Sequence, residues 1–329
     1  MRIVIPVMGL DFGGGERVLA EVANGLATRG HDVVIVIPYG GRIAWPLKVA
    51  VHWVPVLTEA DIPPGDIIMP NFYPTVLPAY NSGRGKCVRL ALAYEPLWLG
   101  NQEALASYDL PMPIIVISEW QRALVAARTA SPTFLLHPGV DTTVFHPYPK
   151  PNDGLKRVLF LMRTHGYHWK GQRDFAAAHS ILLADFPELQ VIIVPAGAGQ
   201  NNPEYPLACV WKYALGDTDM GRIYAEADIF VYPSRFESFG LPPLEAMACG
   251  TATVVGDCGG VREYARHLEN CLVVEPGNPP ALASTIAALL NDPITRQKIA
   301  GNGIRTAQAW SWQRTYQEIE AILQGILYS

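Results

Sequence analysis

No run of about 18 apolar residues occurs anywhere in the 329-residue chain, so no segment reads as a membrane span. The opening stretch MRIVIPVMGLDFGGGERV has one early Arg and a short apolar run broken by Pro6, without the cleavage region of a signal peptide. A basic surplus is missing too. The formal charge is −5 with acids and bases interspersed, which argues against a dedicated nucleic-acid binder. Cysteine is scarce and scattered: Cys87, Cys209, Cys249, Cys258 and Cys271 form no C-x-x-C pair, as expected for small buried thiols in a reduced, cytosolic compartment. There is no low-complexity tract and no short-period repeat. The dinucleotide fingerprint G-x-G-x-x-G is also absent, which makes a dehydrogenase a distant reading.

What the chain does have is half its residues apolar and enough length for two domains of ordinary size. Short apolar runs alternate with amphipathic segments from end to end. IVIPVM, GERVLAEVANGLATRG and DVVIVIP read strand, helix, strand, with Gly30 closing the helix. Further strands are expected at 49–54, 66–69, 88–94 and 114–117. FHPYPKPNDGLKR, residues 145–157, breaks the pattern and reads as a linker. Alternation restarts with RVLFLM, a helix over 171–184, LQVIIVP, a helix over 219–227, DIFVYP, a helix over 241–248, TATVV and CLVV. Helices over 279–291 and 293–309 follow, then the amphipathic WSWQRTYQEIEAILQGIL. Such βαβ alternation implies parallel sheets covered on both faces, in an α/β chain of two Rossmann-like domains.

The most informative stretch is SRFESFGLPPLEAMACG, residues 234–250. Pro242 and Pro243 fit the first turn of a helix, where a missing N–H costs little. The N–H groups of Phe239, Gly240 and Leu241 then have no partner within the helix and project from its positive end, a site suited to phosphate. Glu237 precedes this cradle and Glu245 lies about a turn inside it. An anion cradle flanked by carboxylates suits a ligand with both phosphate and hydroxyls, such as a nucleotide sugar. A glycosidase acid–base pair would not need a phosphate-type helix start.

Other residues carry weaker signals. Gly13–Gly15 follow the first strand and open a helix, as either a diphosphate loop or a tight turn. Arg163 ends a strand and Lys170 precedes a helix, so the two could neutralise a diphosphate or simply be surface cations. His165 and His168 form an H-x-x-H pair with no third metal ligand placed nearby. Asp217-Thr218-Asp219 is a D-x-D that reads better as capping acids of the next helix. Ser118, with Gln121 three residues on, reads as a helix N-cap, and no G-x-S-x-G frames it as a nucleophile. Tyr94 and Glu95 end another strand, where Glu95 could touch an acceptor or simply be a loop carboxylate. Arg84, Lys86 and Arg89 form the only compact basic cluster of the first half, and a solvated loop and strand end explains it.

The segment YAEADIFVYPSRFESFGLPPLEAMACGTATVVGDCGGVREY, residues 224–264, closely resembles the signature of retaining GT-B glycosyltransferases, specifically family 4. About forty residues agree in type and order. GGGERV resembles that family's first loop, HPGVDTTVFHP at 137–147 its interdomain segment, and Arg163 with Lys170-Gly171 its phosphate-binding motif. The resemblance spans the chain but is strong only in the C-terminal half. It implies a GT-B architecture, with two Rossmann-like domains whose parallel sheets face each other across a cleft. The acceptor domain is expected over 1–148, the nucleotide-sugar domain over 149–310, and a helix over 311–329 crossing back to the first domain.

The resemblance further implies a metal-independent, cofactor-free hexosyltransferase acting with retention. Glu237 would meet the donor sugar, Glu245 the ribose, and Arg163, Lys170 and the amides around Ser238, Phe239, Gly240 and Leu241 the diphosphate. Gly14 and Gly15 would approach from the N-terminal domain. The acceptor would be a glycan, a lipid-linked sugar or a small molecule, and attachment to the inner face of a membrane stays open. The sequence departs from the family pattern in a longer Arg-to-Lys spacing and in Met162 where a Gly is usual. No acceptor-side His is identifiable, and Tyr94 and Glu95 occupy roughly that region. An epimerase or phosphorylase of the same fold, or a non-catalytic sugar-nucleotide-binding subunit, is the alternative.

Overall fold

The computed structural model describes residues 1–163, 168–196 and 205–328 and divides the chain into two compact units. The first contains Met1–Gly139 together with Trp312–Ser329, and the second contains Val140–Ser311.

In the first unit, β1 (Arg2–Pro6), α1 (Gly14–Thr28), β2 (Asp32–Pro38), β3 (Ala50–Val54), β4 (Ile67–Ile68), α2 (Tyr73–Ser82) and β5 (Lys86–Cys87) build a five-stranded parallel sheet, ordered β3-β2-β1-β4-β5. β1 lies at its centre, and Ile3, Val4 and Ile5 are fully buried. A strand covered on both faces needs an unbroken apolar run, which is what the sequence provides. Next come β6 (Arg89–Ala91), α3 (Pro96–Leu99), α4 (Gln102–Ala106), β7 (Ile114–Val116), α5 (Glu119–Ala126) and β8 (Thr133–Leu135). The strand expected over 88–94 is thus shortened to Arg89–Ala91, with a separate strand, β5, just before it. At Val88 the chain leaves the five-stranded sheet for a three-stranded one, β6-β7-β8, while Val88 N–H still donates to Ile68 O (2.9 Å) and Leu90 N–H to Pro70 O (2.8 Å). Ser118 caps α5 by accepting from Gln121 N–H, as its position predicts.

The second unit carries β9 (Arg157–Arg163), α6 (Gln172–Leu182), β10 (Gln190–Ala196), β11 (Val210–Trp211), α7 (Asp217–Glu226), β12 (Ile229–Tyr232), α8 (Leu241–Ala248), β13 (Ala252–Gly256), β14 (Leu272–Val274), α9 (Pro279–Asn291) and α10 (Pro293–Gln308). Its six strands are parallel in the order β11-β10-β9-β12-β13-β14. Phe160 and Phe175, stacked with centroids 4.5 Å apart, lie in the core between sheet and helices. The final helix, α11 (Trp312–Tyr328), packs on α1 in the first unit. Glu318 on α11 accepts from the His137 N–H (3.0 Å), Thr315 Oγ1 donates to His137 O (2.6 Å), and Tyr316 hydroxyl donates to Glu21 (2.5 Å).

The boundaries differ from those expected at 148 and 310: they fall after Gly139 and after Ser311. Val140 N–H donates to Trp310 O (2.9 Å), and Phe145 is buried against Tyr224 at 6.1 Å between ring centroids. The first residues of the Pro-rich segment therefore pack onto the second unit. Composition alone showed where regular structure stops, not which core this stretch joins. Among the described residues, no helix is long and apolar enough to cross a membrane.

Candidate functional site

In the second unit the candidate residues gather at the carboxyl ends of β9, β12 and β13, the edge where open α/β sheets bind ligands. β12 ends at Tyr232, a turn follows, and Gly240 caps α8 in the left-handed region (φ 88°). Pro242 and Pro243 occupy the first turn of α8, and no side chain caps it. The preceding loop is pinned to the end of β13: Glu237 N–H donates to Cys258 O (2.7 Å) and Gly260 N–H to Glu237 O (2.9 Å). A Cβ at Gly260 would overlap the Ser238 carbonyl, so only glycine allows this approach. The Phe239 ring is buried 5.4 Å from Tyr264 and 5.5 Å from Trp310, leaving its main chain as the part that could serve a ligand.

Lys170 ends a short 3₁₀ turn at His168–Lys170 and is followed by Gly171 (φ 76°), whose Cα lies against the Pro233 carbonyl too closely for any side chain. Arg235 N–H donates to Trp169 O (2.7 Å), and the Trp169 and Phe236 rings stack at 5.2 Å. These contacts bind the Lys170 turn to the loop after β12. The result is a fork: Lys170 Nζ donates to Glu237 Oε1 (2.6 Å) and Oε2 (2.8 Å). Both side chains are largely buried, at 18% and 11% exposure, so the pair is screened less than a surface ion pair. Arg163 ends β9 on the same edge, three residues beyond Phe160, which pairs with Val231 of β12.

The two glutamates are held from different sides. Tyr232 hydroxyl donates to Glu237 Oε1 (2.8 Å), and Tyr224 hydroxyl, on α7, donates to Glu245 Oε2 (3.0 Å). A third phenol, Tyr264, donates to Gly240 O at the start of α8. Burial pushes all three phenols well above their ordinary pKa, with Glu245 adding to it at Tyr224 and Glu237 at Tyr232, so they remain protonated donors. Sequence reasoning assigned these tyrosines no role, although YAEAD, VYPS and REY lie inside the segment that carried the family resemblance.

Other expectations resolve individually. Asp217 and Asp219 lie in the first turn of α7, whose N-cap is Gly216, and Asp219 accepts from Leu215 N–H (3.2 Å). His168 lies beside Trp169, while His165 falls outside the described residues. No group of three metal-ligating side chains occurs among the described residues.

Gly14, Gly15, Tyr94 and Glu95 belong to the other unit. Gly14 and Gly15 begin α1 at the carboxyl end of β1. Glu95, expected to touch an acceptor, faces inward. Its carboxylate takes two hydrogen bonds from Arg89 (3.0 and 3.1 Å) and one from Tyr108 hydroxyl (2.7 Å), with 3% of the side chain exposed. Tyr94 packs on Tyr108 with centroids 5.0 Å apart. The basic cluster also disperses: Arg84 donates to Ile62 O (2.7 Å), Lys86 to Ile326 O, and Arg89 is fully buried rather than solvated.

This is a protein of two Rossmann-like units, and comparison with known structures agrees on the fold. Solved structures align over essentially the whole chain. Sucrose-phosphate synthase from Thermosynechococcus elongatus covers 100% of this chain and 99% of its own at a TM-score of 0.79 with 18% identity. Anabaena HepE in complex with UDP-glucose covers 99% and 100% at 0.80 with 18% identity. At such identity they establish the fold, which is GT-B. Residues 148–306 match the family described as "Glycosyl transferases group 1". Curated relatives include a D-inositol 3-phosphate glycosyltransferase of Thermobispora bispora, 29% identical over 257 residues, 64% of this chain and 59% of the relative. Another of the same name, from Geodermatophilus obscurus, is 30% identical over 253 residues, 68% of this chain and 54% of the relative. The matches thus span under two thirds of these relatives' length.

Proposed function

We propose that this protein is a retaining glycosyltransferase that moves a hexose from a nucleoside diphosphate sugar to an acceptor hydroxyl, without a metal or cofactor. The observation that carries the reading is the Lys170–Glu237 fork at the amide-lined start of α8, which sets a cation, a carboxylate and a helix N-terminus side by side. The relatives' name and the UDP-glucose complex of HepE support a nucleotide-sugar donor.

In this reading Lys170, Arg163 and the Ser238–Leu241 amides hold the diphosphate, Glu245 holds the ribose and Glu237 the sugar hydroxyls. The bond from the anomeric carbon to the diphosphate oxygen breaks, and a new bond forms from that carbon to the acceptor oxygen. The acceptor proton passes to the departing phosphate oxygen, so Glu237 need not act as a nucleophile. Charge grows on the diphosphate as it leaves, and a preorganised donor aimed at such charge is worth about 3–4 kcal/mol. The acceptor is a glycan, a lipid-linked sugar or a small molecule.

The test is a thermal-shift panel of UDP-, GDP-, dTDP- and ADP-hexoses, since a ligand of the native state raises the melting temperature by mass action. One nucleotide is expected to stabilise the protein, and Lys170→Ala and Glu237→Ala are expected to abolish most turnover without unfolding it. Absence of any shift, or near-normal transfer in both variants, refutes the assignment.

A further inference from the structure

The backbone of Glu237 is fixed on both sides by Cys258 and Gly260, but main-chain bonds do not set the direction of a side chain. Among the described residues, two groups aim the Glu237 carboxylate: Lys170 and the Tyr232 hydroxyl. Under the reading above, Lys170 must also serve the diphosphate. An ammonium that turns toward phosphate weakens its fork on Glu237, and the sugar hydroxyls then find a carboxylate free to rotate unless something else holds it.

Tyr232 is built to hold it. It is the last residue of β12, buried in the sheet edge, with its ring 6.1 Å from that of Phe230. Its Cε1 also lies within contact distance of the space beside Gly240. The ring is therefore fixed by the strand, by an aromatic neighbour and by the start of α8, and its hydroxyl reaches one oxygen only, Oε1. Oε2 is left to Lys170 and to a ligand. A phenol on a strand has two side-chain torsions and no charge for phosphate to attract, whereas a lysine has four and a full charge.

We propose that Tyr232 is a positioning residue: it keeps Glu237 Oε1 in place while Lys170 shifts from Glu237 to the donor diphosphate. This rests on the glycosyltransferase reading and assigns a role within its site. Two expectations follow. Tyr232→Phe keeps the ring and its packing, so folding and nucleotide affinity persist, while turnover falls about ten- to a hundredfold, the usual consequence of losing a hydrogen bond to a charged group. The defect also requires the Glu237 carboxylate, so Tyr232→Phe adds little to Glu237→Gln.

The experiment measures binding of the free nucleoside diphosphate, and its release from the sugar nucleotide that shifts the melting temperature, in wild type, Tyr232→Phe, Glu237→Gln and the double variant. A fall in kcat at unchanged nucleotide affinity, non-additive with Glu237→Gln, supports the role. An unchanged kcat, a loss confined to nucleotide affinity, or full additivity overturns it while leaving the glycosyltransferase reading intact. A wild type that neither binds nor cleaves any of these sugar nucleotides overturns that reading, and the role of Tyr232 with it.

Discussion

Truncating Glu95 to Ala tests whether this carboxylate is part of the core or part of a binding surface. The structure gives the magnitude. The Arg89 side chain has no exposed surface and Glu95 has 3%. The guanidinium donates twice to Glu95 and once to Ser107 Oγ (2.9 Å), and lies 3.7 Å over the Tyr108 ring. Removing Glu95 strands a buried cation with one hydroxyl and one aromatic face, and leaves the Tyr108 hydroxyl, which also bonds Ala93 O, without its charged partner. Breaking such a pair from one side costs about 3–5 kcal/mol. For a unit of this size the melting temperature should fall by roughly 6–20 °C. Replacing both charges, as Arg89→Met with Glu95→Leu, should recover part of the loss, because no unpaired ion is left behind. Scanning calorimetry reads both. If Glu95→Ala melts within about 2 °C of wild type and loses only transfer, the carboxylate belongs to the acceptor surface and the argument is refuted.

The remaining predictions concern one loop and one helix. In Gly260→Ala the new methyl meets the Ser238 carbonyl and Phe239 nitrogen, so the cradle must shift. A loss of about 1–3 kcal/mol in stability is expected, together with a smaller thermal shift from the nucleotide sugar; an unaltered ligand-induced shift would count against the pinned-loop account. Glu318 on α11 should make the first unit acid-sensitive. Burial alone would raise its pKa, but hydrogen bonds from the His137 ring and backbone and from Arg314 outweigh it and hold the carboxyl at about 2. Because the folded value lies below the ordinary 4.5, this stabilisation, ~3 kcal/mol at most, is complete above pH 4.5 and is lost as pH falls toward 2. Glu318→Gln should therefore melt lower than wild type at pH 6 and converge with it in acid, and parallel melting curves across that range would contradict the assignment.

Much of the second unit could be read from the chain because its determinants are local. The helix start at Leu241 follows from Gly240 and two prolines, and α8 spans Leu241–Ala248 as expected. Apart from the two-residue edge strand β11, which the sequence did not suggest, expected and observed strands agree closely in the second unit because fully buried strands demand continuous apolar runs. The first unit was harder. Its strands are short, and the chain changes sheets at Val88, between Lys86 and Arg89, where the side chains do not show which sheet each flank joins.

The sequence by itself determined the parallel α/β organisation, the cradle and its flanking glutamates, since propensity, hydrophobic period and glycine placement act over a few residues. Only the tertiary structure decided what each charged or phenolic side chain meets. Glu95 looked like a loop carboxylate until Arg89 and Tyr108 closed around it. Glu237 acquired Lys170 from 67 residues away, and Glu245 acquired Tyr224 from the neighbouring helix. The hydroxyls of Tyr224, Tyr232 and Tyr264 were indistinguishable from core aromatics in sequence, because a tyrosine's ring fixes its burial while its hydrogen-bond partner is set by packing between distant elements. The Val140 boundary has the same origin: it depends on a hydrogen bond to Trp310, at the far end of the second unit.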